Sequence, residues 1–470
     1  MRDHLLVVSD LRQILGENNV IGDADLMASY CVDWRGRFRG SALAVVKPSS
    51  TDEVAAIVKY AKAHGLSIVP QGGNTGLVGG SVPLGNGNEL ILSLARLNRI
   101  RSINTATDSV VVEAGVSLAA LQAEAEAHER LFPLSLASEG TATIGGAIST
   151  NAGGTATLAY GNMRELVLGL EVVLHDGRII HGLKQLRKDN SGYDIKQVFI
   201  GSEGTLGIVT AAALKLFPQP KSRLTAFCGL QSPELALKFL ELAKGSSGAL
   251  LTTFELIPRL GLDLVLQHFP ASRDPLFASH HWYVMLEFSS AADALADIVA
   301  EQIIAKAIDL EIIEDGVFAK SLAQSDAFWA LRENLPSAQT KEGASIKHDI
   351  SVPLAHIPGL IEAVNRDVTS VMPDIRPLPF GHLGDGNLHY NFQSACGADP
   401  QAFLAQSEEI HAIVYRHVAE ADGSFSAEHG IGQVKRHQLS HWKDEVSLDV
   451  MRQLKALFDP DGRLNPGKVL

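Results

Sequence analysis

The stretch 43-LAVVKPSSTDEVAAIVKYAKAHGLSIVPQGG-73 constrains the fold more than any other part of the chain. A short apolar run, Ala44 to Val46, leads to Ser50, whose side chain can cap a helix by reaching the Glu53 position. Gly65 closes that helix, and Leu66 to Val69 forms a second apolar run. Strand, helix and strand in this order predict a βαβ unit. The strand 109-SVVVEAG-115 and a helix begun by Ser117 predict another. Asp176-Gly177, inside 169-GLEVVLHDGRII-180, predicts a hairpin. Residues 5 to 35 read as helical and polar-faced.

Near Pro218 and Pro220 the composition shifts. Strand-like 223-RLTAFCGL-230 and 282-WYVMLEFSS-290, helical 232-SPELALKFLELAKG-245, a helix at 292–308 and a strand near 309-DLEIIEDG-316 give a β-α-β-β-α-β order. A chain of 470 residues predicts two to three domains. The expected boundaries are 1–37 for an N-terminal helical segment, 38–217 and 218–421 for two domains, and 422–470 for a C-terminal segment returning to the active site.

Composition narrows the functional classes. Hydrophobic content of 46% and charged content of 20% describe a globular chain. A net charge of −13 argues against nucleic-acid binding as the main task. No run of about 18 apolar residues predicts a transmembrane helix. The N-terminus has neither a secretory nor a transit-peptide pattern. Cys31, Cys228 and Cys396 are far apart in sequence, so buried structural thiols and a reducing cytoplasm are expected.

Four small-residue loops stand out: 70-PQGGNTGLVGG-80, 134-LSLAS-138, 144-IGGAISTNAGG-154 and 201-GSEGTLGIVT-210. Glycine lets a ligand approach the backbone, so N–H groups can point at phosphate oxygens. None of the loops matches GxGxxG or GxxxxGK[ST], so neither a Rossmann fold nor a P-loop is supported. A second chemical motif is 380-FGHLGDGNLHYNF-392. With Asp385-Gly386 as a hairpin turn, His382 is expected to face His389 across the strands, close enough for one metal ion, with Asn391 on the same face.

The strings 70-PQGGNTGLVGG-80, 149-STNAGG-154 and 197-QVFIGSEGTLGIVT-210 resemble the FAD-binding domain of vanillyl-alcohol oxidase type flavoproteins. The strings 188-KDNSGYDIKQVFIGSEG-204, 329-WALRE-333, 381-GHLGDGNLHYN-391 and 427-AEHGIG-432 are similar to the FAD enzymes that oxidise D-2-hydroxyglutarate or D-lactate. The implied fold is α+β: a two-lobed FAD-binding domain, an antiparallel-sheet substrate domain and a small helical C-terminal segment. Pro70, Gly72, Gly73, Asn74, Thr75, Gly76, Gly79, Ser138, Gly145, Gly146, Asn151, Gly153, Glu203, Gly204, Ile208 and Asn465 would line the FAD site. Relatives that attach FAD covalently through the first loop carry His where this chain has Asn74, so non-covalent FAD is expected.

The resemblance also implies Glu428 as a third ligand beside His382 and His389, for Zn²⁺ or another divalent metal, and His429 as general base. Hydride would pass from C2 of the substrate to flavin N5. Asn391 would bind the C1 carboxylate, and Arg332 and Lys347 a distal one. One departure is Pro336, where the hydroxyglutarate enzymes carry threonine four places after the arginine. Proline should end or kink the helix and push Leu335 out of the helical region, leaving Ser337 as the nearby hydroxyl. D-lactate, D-malate and glycolate therefore stay open beside D-2-hydroxyglutarate. A metallohydrolase is the reading from a different class. The expected electron acceptor is a carrier protein or a quinone, and a homodimer is compatible with the group.

Overall fold

The computed structural model describes residues 4–470. The chain divides into two compact units. The first comprises Met1–Gly154, Gly161–Gln219 and Glu428–Leu470, and the second Thr155–Tyr160 and Pro220–Ala427.

In the first unit the βαβ pattern appears as strand Ala44–Val46, helix Thr51–His64 and strand Ser67–Gln71. Both strands run parallel to Glu89–Ser93, which lies between them. The Ser50 hydroxyl accepts the Glu53 amide at 3.1 Å, and Gly65 ends the helix at φ 70°. Val54, Ile57, Val58 and Ala61 make one apolar stripe and pack on Ala44, Val46, Ile68, Leu90 and Leu92. Burial of each larger side chain stabilises by roughly 1.5–3 kcal/mol. The second sheet of this unit is antiparallel, in the order Ile100–Asn104, Ser109–Glu113, Ile208–Lys215, Val167–Val173 and Ile179–Gly182. Its last pair is the Asp176-Gly177 hairpin, with Gly177 at φ 79°.

The N-terminal reading needs correction. Helix His4–Leu15 is followed not by more of the same helix but by strand Val20–Ile21, which pairs with Val46 and Val45. Gly16, at φ 85°, stops the helix.

The second unit departs from the expected β-α-β-β-α-β order by one helix, Arg259–His268, between its second and third strands. Its antiparallel sheet runs Leu251–Pro258, Trp282–Ser290, Ser222–Leu230, Asp315–Phe318, with helices Pro233–Ser247 and Leu295–Asp309 in the connections. The last strand starts at Asp315, later than expected, because residues to Asp309 continue the helix. A smaller sheet has Asn387–Gln393 paired with Arg376–Phe380, Ser345–Ile346 and Ile350–Ser351.

Helix Leu322–Glu333 ends before Asn334, and a second helix, Leu335–Glu342, carries Pro336 in its first turn, where a missing N–H costs nothing. Leu335, expected outside the helical region, opens the second helix and is fully buried. Ser337 is exposed. The cysteines form no disulfide, and Cys396 is exposed rather than buried. Among the described residues no helix is long and apolar enough to cross a membrane.

Candidate active site

In the first unit, the loops that follow the parallel strand Ser67–Gln71 help to wall a cleft that is open to solvent. Pro70, Gly72, Gly73, Asn74, Thr75, Gly76, Gly145, Gly146, Glu203 and Gly204 line it, and so does His429. Among the described residues no acceptor meets the backbone amides of Gly73, Asn74, Thr75 or Gly76. Successive free amides make an anion-binding concavity. Gly73 has to be glycine here, since a Cβ would lie 1.8 Å from the Thr141 carbonyl oxygen. The arrangement fits the pyrophosphate of a dinucleotide.

Asn74, Asn151, Glu203 and Asn465 all hold left-handed backbone, with φ of 54°, 50°, 51° and 45°. Such strain concentrates at functional sites. The Asn74 side chain turns into the protein: its Nδ2 donates to the Val32 carbonyl at 2.8 Å, and its Oδ1 accepts the Ser81 hydroxyl at 2.7 Å. Asn465 donates to the carbonyls of Gly80 and Glu203, each at 2.8 Å.

Not every residue expected at the cofactor lines the cleft. Ile208 is buried in the core of the βαβ unit, and Gly79 packs against Phe38. Asn151 accepts the Arg164 amide through Oδ1 at 3.0 Å. Ser138, Gly153 and Asn465 are likewise outside the lining. Sequence reasoning missed Gln71, Thr143 and Thr150, which do line it. Thr143 had a readable signal, because it caps the helix Ile144–Ser149 by accepting the Gly146 amide.

The Glu203 carboxylate accepts the amide of Ile431 at 2.7 Å and of Gly432 at 2.8 Å. Desolvation pushes this carboxyl up, and the two amides oppose the rise. Gly430, at φ 78°, leaves no room for a side chain, since a Cβ would stand 2.7 Å from Glu203 Oε1. His429 is thereby fixed beside the cleft, with its Nε2 3.6 Å from Glu428 Oε1.

In the second unit the histidine motif departs from the expected hairpin. Phe380, not His382, opposes His389 in the strand register. Beyond Phe380 the chain leaves its partner: Gly381 exchanges two backbone hydrogen bonds with Leu256, at 2.8 and 3.0 Å. A single turn of 3₁₀ helix, Leu383–Asp385, then precedes Gly386 at φ 86°. The two imidazoles still end as neighbours, with ring centroids 5.4 Å apart.

The exchange with Leu256 sets His382 beside Glu255, a residue that sequence reasoning missed. Glu255 is fully buried, with one oxygen 2.6 Å from His382 Nδ1 and the other 2.6 Å from Arg332 Nε. Burial raises its pKa, but the charges of His382 and Arg332 and their hydrogen bonds outweigh that and bring it to about 2. Arg332 is 7% exposed and lies over the Phe380 ring at 4.9 Å. Among the described residues no acceptor meets its terminal nitrogens. Asn391 donates to Gln339 Oε1 at 2.9 Å and accepts the His348 amide at 3.2 Å. Lys347 is half-buried between the short strands Ser345–Ile346 and Ile350–Ser351.

Residues 42–182 match the family described as FAD binding domain, and residues 219–469 match FAD linked oxidases, C-terminal domain. The chain belongs to the FAD-linked oxidases and is an FAD-binding oxidoreductase. Among curated proteins it is similar to the mitochondrial D-2-hydroxyglutarate dehydrogenase of Arabidopsis thaliana, 37% identical over 98% of this chain and 81% of the relative. It is also similar to D-2-hydroxyglutarate--pyruvate transhydrogenase DLD3 of Saccharomyces cerevisiae, 34% identical over 98% of this chain and 93% of that protein. Among solved structures, p-cresol methylhydroxylase with substrate bound shares the fold, with a TM-score of 0.77 at 14% identity over 100% of this chain and 97% of that one. The α+β vanillyl-alcohol oxidase type fold is thereby established. The cytoplasmic expectation is overturned, since relatives from Arabidopsis thaliana and Danio rerio are named mitochondrial. It rested on cysteine spacing, which reports a reducing environment and not a compartment.

Proposed function

We propose that this chain oxidises a D-2-hydroxy acid to the 2-oxo acid, with D-2-hydroxyglutarate the leading substrate and non-covalent FAD as cofactor. The observation that carries the reading is His429 on the wall of the same cleft as the free loop amides. Bound FAD supplies a two-electron acceptor, and a divalent metal supplies a Lewis acid. His429 takes the proton of the substrate hydroxyl as general base. The amides of Gly73 to Gly76 hold the pyrophosphate.

His382 and His389 in the second unit, with Glu428 next to Ala427 in the chain, are the proposed metal ligands. His382 Nδ1 lies 2.6 Å from Glu255 Oε1, a carboxylate–imidazole contact of the kind that orients a metal-ligating ring. Asn391 and Lys347 bind the substrate's carboxylates. Arg332 offers its terminal nitrogens to the distal one, in the bidentate geometry a carboxylate accepts best. Chains of different length then discriminate: a second carboxylate gains from Arg332, and the methyl of D-lactate does not. A carrier protein or quinone reoxidises the flavin, and the relative named a pyruvate transhydrogenase adds a 2-oxo acid to the acceptor classes to be tested.

The test is anaerobic. D-2-hydroxyglutarate, D-malate, D-lactate, glycolate and the L-forms are added singly to the purified yellow protein. Bleaching of the flavin band by a D-acid, fastest with D-2-hydroxyglutarate, is the expected result. A yellow protein bleached by none of them would overturn the reading.

A further inference from the structure

The helix Leu335–Glu342 lies on one face of the strand Asn387–Gln393, and buried amides line the contact. Asn391 and Gln393 point to that face, two residues apart along the strand. Gln339 sits over Asn391, and its Oε1 accepts Asn391 Nδ2 at 2.9 Å. Further along the helix, Glu342 accepts Arg376 Nη2 at 2.8 Å, and Arg376 stands opposite Gln393 in the strand register. Gly343, just past the helix, comes so close that a Cβ there would lie 3.7 Å from Gln393 Nε2.

Gln339 and Gln393 are fully buried, yet their hydrogen-bonding capacity is largely unmet. Gln339 Nε2 and both amide atoms of Gln393 have no partner among the described residues. A stranded buried nitrogen is destabilising, and methionine or leucine would fill the same space without one. Packing alone therefore does not account for glutamine at position 339.

The bond to Asn391 does account for it. A backbone N–H can only donate, so the His348 amide, 3.2 Å away, settles that Asn391 turns Oδ1 towards it. Nδ2 then faces Gln339 Oε1, and the amide plane is held at both ends. Gln339 takes one Nδ2 hydrogen, and the other meets no acceptor among the described residues. The direction in which Asn391 offers that second hydrogen is set by Gln339.

We propose that Gln339 is a positioning residue for the substrate's C1 carboxylate, which it never touches and serves only by aiming the Asn391 amide. The inference rests on the reading above that Asn391 binds this carboxylate. Every 2-hydroxy acid carries the group, so Gln339 governs affinity for the class and not the choice among its members.

A double-mutant cycle on the FAD-loaded protein tests it, with the parent, Q339M, N391A and Q339M/N391A. Kd for 2-oxoglutarate and for pyruvate is read from the perturbed flavin band. KM and kcat are measured with D-2-hydroxyglutarate and D-lactate, and flavin content and Tm report folding. Q339M should weaken binding about tenfold, the loss expected when a hydrogen bond to a charged group is misaimed. The factor should be the same for the long and the short acid, and KM should change more than kcat. The double variant should match N391A, because Gln339 has no other route to the substrate. Parental affinity in Q339M beside weakened binding in N391A would overturn the proposal and leave the Asn391 reading intact. So would losses that add in full in the double variant, or a loss confined to the long acid, which would place the effect at Arg332. Parental affinity in N391A would overturn the Asn391 reading itself, and this inference with it. Gln339→Leu replaces Q339M in the cycle if the methionine variant does not fold.

Discussion

Glu203 and Ile431 meet through a 2.7 Å hydrogen bond across 228 positions of sequence, and the second carboxylate oxygen takes the amide of Gly432. The loop bearing His429 thus hangs from a wall of the cofactor cleft. In Glu203→Gln one amide would face an NH₂ group instead of an acceptor, at a cost of about 1–3 kcal/mol. Turnover should fall about tenfold or more while flavin content changes little. Steady-state kinetics with an absorbance ratio for bound flavin checks this. Unchanged kcat would mean that the Gln433 contacts to the Gly79 and Val82 carbonyls hold the loop unaided.

Replacing the proposed base gives a sharper result. His429→Asn keeps a polar side chain of similar size and loses proton acceptance. Flavin reduction by substrate in stopped flow should slow by about 10²–10⁴-fold, with FAD still bound. A parental reduction rate would remove His429 from the mechanism.

The proposed metal is tested by its removal. Exhaustive chelation, or His382→Ala, should abolish activity and metal content together while the protein stays yellow. Re-addition of Zn²⁺ should restore the chelated parent and not the variant. Full activity in protein shown to be metal-free would end the metal assignment.

Asn74 predicts how FAD is held. Its side chain is committed to Val32 and Ser81 and has no nucleophilic nitrogen. Acid precipitation should therefore release the flavin completely into the supernatant. Yellow colour or fluorescence retained on the denatured chain would show a covalent bond.

Lys468 makes stability depend on pH. It is 2% exposed, its Nζ has no hydrogen-bond partner, and desolvation lowers its pKa from 10.5 to about 8. The unfolded chain binds more protons between those values, so this residue's contribution to stability rises with pH through that window. Below pH 8 the buried charge costs the fold on the order of 3 kcal/mol. Lys468→Met should raise Tm at pH 7, with the gain shrinking as pH climbs above 8. A lowered Tm at pH 7 would show that Lys468 stabilises the fold through its attraction to Glu89.

Local signals were the legible ones. Ser50, Gly65 and the stripe Val54, Ile57, Val58, Ala61 specify the helix of the βαβ unit without help from distant residues. Asp176-Gly177 carries its own turn chemistry. The loops at the cofactor cleft were readable because glycine and left-handed asparagine are backbone requirements that sequence shows directly. The histidine hairpin failed because its register depends on Leu256, over a hundred residues away, which competes for Gly381. Glu255 left no trace for the same reason: a buried glutamate in an apolar strand gains meaning only from His382 and Arg332. The strand at Val20 was hidden too, since its partner, Val46, lies beyond the intervening helical turns.

The first unit opens with the N-terminal segments and closes with Glu428–Leu470. Ile68 pairs with Leu464, and Asn465 ties Gly80 to Glu203. During synthesis on the ribosome, the second unit emerges whole while the cofactor cleft still lacks its last stitch. A chain cut before Leu464 would therefore lose the bridge to Ile68 and the one side chain that joins the Gly80 loop to Glu203.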